Sequence, residues 1–357
     1  AVLRDASPRA RDAIAASGEL MSSRIVAAAF EHLGLPAEWI DARRVVVTDG
    51  EHAGAAPHFA PTAARLDRHL RPAIDAGRVP VVGGFIGATA EGITTTLGRG
   101  GSDFSAALVG ACLDAREIQI WTDVDGLLAA DPRIVPDPAV VPQVSFAEAR
   151  ELAYFGAKVL HPSTVEPAVA RGIPVRILNS RRPGSTGTVV NGASAPDRLA
   201  PAALACKRRV TVLEIASRRT LRPPVFLRRV FEILDGAALH PCVTTIADTI
   251  VVAAFDNDAR AGQLTAAFAE VADVTVRGEM ALLSAVGDGL RGTPRLAADV
   301  LAALEGVAVH AVAQPPSGRS LTMLLDDADL ADAMRRVYDR FYAPATADRT
   351  APVAARG

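Results

Sequence analysis

The stretch Thr94–Asp103, TTTLGRGGSD, constrains this chain more than any other. Three threonines lead to Gly98, Gly100 and Gly101 around Arg99, then to Ser102 and Asp103. An apolar run, Phe104–Leu113, comes next. Ser102 or Asp103 is a good N-cap for that run, so the stretch predicts a glycine-rich loop opening a helix. Such a helix start offers free N–H groups and a dipole that favours an anion. Arg99 adds a cationic fork suited to a carboxylate or a phosphate. By pattern alone the same residues also fit an ordinary tight turn.

Preceded by TTTL, the string GRGGSD resembles the amino-acid-binding loop of aspartate kinases, in the amino acid kinase family. Two further strings share the likeness: WTDVDG…DPR, from Trp121 to Arg133, and FGAKVLHPST, from Phe155 to Thr164. A fourth segment, SGELMS at Ser17–Ser22, resembles the place where a Gly-Glu pair opens a helix in that family. Two helices, over 1–17 and 20–33, are therefore expected on either side of it. VPVVGGFIG, Val79–Gly87, reads as a buried parallel-type strand. Glu117–Trp121 reads as a strand with Thr122, Asp123 and Asp125 at its carboxyl end, where open α/β sheets place ligands. Ser145 and Glu148 form a capping-box pair opening a helix to Phe155.

With 357 residues the chain predicts two or three domains. NGASAPDRLAP at 191–201 has linker composition, and beyond it a β-α-β-β-α order occurs twice. That repeat resembles the paired ACT domains of aspartate kinases. The resemblance implies an α/β fold: an amino acid kinase-type, mostly parallel sheet sandwiched by helices over 1–190, a linker at 191–203, two ferredoxin-like (ACT) α+β units over 204–342, and a flexible tail at 343–357. VGDGLRG at 286–292 looks like a dinucleotide fingerprint but fits a turn of the second ACT unit better. A net charge of −2 points to neither a nucleic-acid nor an anionic-membrane partner. Continuous apolar runs reach about ten residues, half of a bilayer span. Three scattered cysteines, Cys112, Cys206 and Cys242, read as reduced thiols of a cytoplasmic protein.

The resemblance also implies the chemistry. An aspartate kinase moves the γ-phosphoryl group of ATP, with Mg²⁺, to the side-chain carboxylate of L-aspartate. That carboxylate is already a nucleophile, so catalysis is positioning and charge neutralisation. By the match Glu19, Phe85, Arg99, Gly100, Gly101 and Ser102 bind aspartate, with Arg99 on its α-carboxylate and Glu19 on its ammonium group. Asp103 acts near the transferring group. Thr122, Asp123, Arg133 and Lys158 bind the nucleotide, and no separate protein metal site is implied. Two departures stand out. Leu127–Leu128 replaces the family's tyrosine, and no lysine precedes Lys158 where the family has a KFGG string. On that ground the chain is expected to be N-terminally incomplete and inactive as written, with a non-catalytic or degenerate paralogue as the alternative. An allosteric homodimer with an amino-acid effector at the ACT units is implied. Pro241 falls where lysine-inhibited relatives carry an effector-binding acid.

Overall fold

The computed structural model describes residues 7–157, 162–193, 200–218, 222–256 and 260–342. The chain clusters into two compact units that interleave in sequence. The first comprises Ala1–Leu127, Pro142–Arg150 and Lys158–Ser194; the second comprises Leu128–Val141, Glu151–Ala157 and Ala195–Gly357. Lys158 and the tail at 343–357 lie outside the described residues.

The first unit opens with a single helix, α1 (Pro8–His32), where two helices were expected. The Ser17–Gly18 pair does not break it. Ser17 spends its hydroxyl on the carbonyl of Ala13, 2.9 Å away within the helix, instead of capping a new one. Glu19 is therefore mid-helix. Of the described helices α1 alone has the length and composition to cross a membrane. Here it turns Asp12, Ala16, Ser23 and Ala27 inward.

β1 (Ala37–Ile40), α2 (Ala42–Val45), α3 (Phe59–His69), α4 (Arg71–Asp75) and β2 (Val79–Val82) follow. The strand expected over 79–87 is interrupted at Phe85, whose φ of +68° turns the chain. The second half becomes β3 (Ile86–Ala88), which pairs antiparallel with β4 (Thr94–Thr96). Then come α5 (Gly101–Cys112), β5 (Ile118–Thr122), β6 (Gln143–Ser145), α6 (Phe146–Tyr154), α7 (Glu166–Arg171), β7 (Val175–Asn179) and β8 (Thr188–Asn191).

The expected parallel sheet appears as separate ladders. β1 pairs with β2 in parallel, and a four-stranded sheet runs β5-β7-β8-β6. In that sheet β5/β7 and β6/β8 are parallel and β7/β8 antiparallel. On α5, Leu108, Val109 and Cys112 pack with Ile40, Val46, Leu66 and Val82.

The capping box is present. Ser145 N–H donates to Glu148 Oε2 at 2.8 Å, and Glu148 N–H donates to Ser145 Oγ at 3.0 Å. Glu148 is fully buried. Glu148→Ala should therefore strand a buried donor and cost about 1–3 kcal/mol, read as a lower denaturant midpoint with unchanged slope.

The C-terminal unit corrects the expectation of two ferredoxin-like units. Its strands β9 (Ala203–Ser217), β10 (Val243–Ile246), β11 (Ile250–Asp256), β12 (Ala272–Val286), β13 (Ala311–Ala313) and β14 (Ser320–Asp326) form one six-stranded antiparallel sheet ordered β10-β11-β9-β12-β14-β13. Its helices are α8 (Pro223–Gly236), α9 (Thr265–Phe268), α10 (Pro294–Ala302) and α11 (Leu330–Tyr342).

The physical reason lies in strand length. β9 and β12 each run 15 residues, long enough to serve both repeats. Each kinks near its middle, at Arg209 (φ +55°) and Glu279 (φ +53°), where their shared register shifts. One half of the sheet buries Leu213, Ile215 and Phe255 under Phe226, Val230 and Leu234 of α8. The other buries Leu283, Met323 and Leu325 under α10 and α11. Val243 of β10 and Ala311 of β13 line the same small apolar cavity, so the sheet curls almost to closure.

Candidate active site

The site in the first unit grows from a three-residue turn, Gly83-Gly84-Phe85, at the carboxyl end of β2. Each residue of the turn touches a different part of the predicted pocket. A side chain at Gly83 would sit 3.2 Å from the backbone oxygen of Glu19. One at Gly84 would meet Ser102 Cα at 3.2 Å. Phe85 lies against Gly101, where an added Cβ would fall 2.9 Å from the Phe85 ring. The two glycines thus let α1 and the start of α5 approach the same turn.

Phe85 holds a left-handed backbone that bulky residues rarely adopt. The surroundings enforce it. Its N–H donates to Ser105 Oγ at 2.9 Å, the Ser105 hydroxyl donates to Gly101 O at 2.7 Å, and its carbonyl accepts from Leu97 N–H at 2.9 Å. Such over-determined strain is characteristic of working sites.

The glycine-rich loop is a short strand and a turn. Gly98 and Gly100 both have φ of +73°, and Gly100 occupies the N-cap position of α5. The cap is therefore Gly100, not Ser102 or Asp103 as expected. Its left-handed backbone turns the chain into the helix and leaves the first-turn amides without a side-chain cap. Ser102 and Arg99 are exposed. Among the described residues neither Arg99 nor Glu19 has an ion-pair partner, so the two segments that meet the turn carry one positive and one negative side chain that are uncommitted. Asp103, in the first turn of α5, is half-buried, and burial pushes its carboxyl above the usual carboxylate range.

The nucleotide-side predictions divide. Thr122 ends β5, and its carbonyl accepts from Ser180 N–H at 2.8 Å and Ser180 Oγ at 3.0 Å. The Thr122 hydroxyl reaches Asp123 Oδ1 at 3.3 Å. Nearby Asp125 accepts from Asn179 Nδ2 at 2.8 Å and pairs with Arg182. Arg133 clusters with the second unit and forks onto Asp131, with contacts of 2.5–3.1 Å. A phosphate would have to compete with that exposed ion pair, a modest cost.

The sequence reading missed Asp12, His52 and Thr96, which buttress the loop. Asp12 is buried and accepts from Thr96 Oγ1 at 2.6 Å and from Ala53 N–H at 3.1 Å, with His52 Nδ1 at 2.6 Å. The available signal was Asp12 seven positions before Glu19, one face of a helix when α1 is continuous.

Comparison with known proteins places this arrangement. Residues 3–179 match the amino acid kinase family, and residues 283–341 match the ACT domain. The chain is 32% identical to lysine-sensitive aspartokinase 3 of Escherichia coli, over 94% of this chain and 76% of that protein. It is 30% identical to the aspartokinase of Schizosaccharomyces pombe, over 96% of this chain and 71% of the relative. The E. coli aspartokinase III structure with aspartate and ADP superposes with a TM-score of 0.74 at 32% identity, covering 95% of this chain and 77% of the other. The Clostridium acetobutylicum aspartate kinase gives 0.83 at 25% identity, covering 92% and 75%. The domain pair is that of an amino acid kinase followed by an ACT region. Within that class the chain belongs to the aspartokinases.

Proposed function

We propose that the first unit binds L-aspartate between Glu19 and Arg99 and passes the γ-phosphoryl group of ATP to its side-chain carboxylate. The observation that carries this is the Gly83–Phe85 turn, which brings the backbone of Glu19 and the start of α5, two residues after Arg99, to one place beside a helix start with no side-chain cap, neither charge being committed to an ion pair among the described residues. A zwitterionic amino acid needs that set: a guanidinium for its α-carboxylate, a carboxylate for its ammonium group, and room for an anionic side chain near free amides. Phe85, Gly100, Gly101 and Ser102 would shape the pocket around it. Asp103 would act beside the transferring group, with Thr122, Asp123 and Lys158 on the nucleotide.

Among the described residues no three His, Cys, Asp or Glu side chains group to hold a metal. Mg²⁺ would therefore enter on the nucleotide phosphates, as it commonly does. The E. coli relative has been solved with lysine and aspartate, which supports an amino-acid effector for this ACT region too.

The test is hydroxamate trapping of the acyl phosphate with MgATP over long incubation. Signal with aspartate, and none with glutamate or acetylglutamate, is the expected result; signal with glutamate instead would overturn the reading. Aspartate binding without any turnover would favour a regulatory paralogue.

A further inference from the structure

We propose that Asp12 is a positioning residue for the amino-acid pocket, its buried carboxylate fixing the glycine-rich loop against the helix that carries Glu19. The inference rests on the functional reading above. Asp12 is 2% exposed and sits on α1 seven residues, two turns, before Glu19. Its carboxylate gathers three groups distant in sequence: the Thr96 hydroxyl, the Ala53 amide and the His52 ring.

Thr96 ends β4, and only Leu97 and Gly98 separate it from Arg99. Ala53 lies under the next turn, where a Cβ on Gly98 would come within 2.9 Å of the Ala53 carbonyl oxygen. The same strand end is held from the other side, Ala55 N–H donating to Thr96 O at 2.9 Å. The thread α1–Asp12–Thr96–Arg99 therefore fixes where the cation of the pocket stands relative to its acid. Every bond in this set ends on the chain itself, at Thr96, Ala53 or His52, so the role assigned to Asp12 is exerted through the loop.

A buried carboxylate is costly to keep unless its lone pairs are filled. Here they are filled, and the bonds from Thr96, His52 and Ala53 outweigh burial and hold the carboxyl below its ordinary range. The carboxylate form, and with it the clasp, is intact at neutral pH.

The test measures L-aspartate and MgADP dissociation constants by calorimetry on the 357-residue chain and three variants. Asp12→Asn and Thr96→Val should each weaken aspartate by about tenfold or more, the scale of a lost charge-assisted bond. MgADP binding should stay within about twofold of wild type, and Thr96→Ser, which keeps the hydroxyl, should restore aspartate binding. Thr96→Val guards against an Asp12 variant that fails to fold. Wild-type aspartate affinity in Asp12→Asn and Thr96→Val overturns the inference alone. Equal weakening of both ligands, or no rescue by serine, assigns the cluster a purely structural role and overturns it as well. A wild-type chain that binds MgADP but no aspartate overturns the functional reading itself, and the inference with it.

Discussion

Arg99→Ala is expected to weaken L-aspartate by about a hundredfold or more while leaving thermal stability almost unchanged. Arg99 is exposed and without an ion-pair partner among the described residues, so the folded chain loses no ion pair when it is removed. Its backbone is set by Gly98 and Gly100 on either side, both left-handed, and not by its own side chain. The loss should therefore appear only when ligand is present. A fork that makes two charge-assisted bonds to one carboxylate supplies a few kcal/mol, and Lys, a point charge, should recover only part of it. Titration calorimetry and a melting curve on the same preparations check both halves. A large drop in melting temperature would show Arg99 to be structural.

The second large effect is on rate. Asp103→Asn should lower phosphoryl transfer by about 10²–10³ and leave the fold equally or more stable. Burial raises the Asp103 carboxyl above its ordinary range, so the folded state binds that proton more tightly than the unfolded chain does. Stability linked to this group is fully present below the unfolded value. It is lost as pH rises toward the folded value, and at neutral pH the ionised group is a net cost. Asparagine removes that cost. The dipole of α5 favours a negative charge in its first turn and offsets part of the gain. Unfolding at pH 7 and near pH 3 should thus show the variant at or above wild type in the first case, with the difference gone in the second. A variant clearly less stable at pH 7 would mean that Asp103 is held by a favourable partner and not strained by burial.

What could be read from the sequence was the chemistry that contiguous residues carry. The loop at 94–103, the acidic turn after β5 and the capping box at Ser145 and Glu148 are local, because the amides of one helix start come from consecutive residues. What could not be read depends on distance. Asp12 finds its partners 40 and 84 positions away, at His52 and Thr96. Ser17 and Gly18 look like a helix start, yet the helix continues because Ser17 bonds backward and the packed face of α1 spans the pair. VPVVGGFIG reads as one strand because nothing in Phe85 itself signals a positive φ; Ser105 and Leu97 impose it. The two ACT-like repeats read as separate units because β9 and β12 are each kinked at a polar midpoint, where alternation lapses.

The most direct test of the central claim is calorimetric titration of the 357-residue chain with L-aspartate and, separately, with L-glutamate, in the presence of MgADP. A pocket set between Glu19 and Arg99, closed by the Phe85 turn, predicts saturable aspartate binding that Arg99→Ala weakens by about a hundredfold or more, and glutamate weaker by at least about tenfold because its extra methylene displaces the reacting carboxylate. Equal affinity for the two amino acids, or aspartate binding untouched by Arg99→Ala, would contradict it.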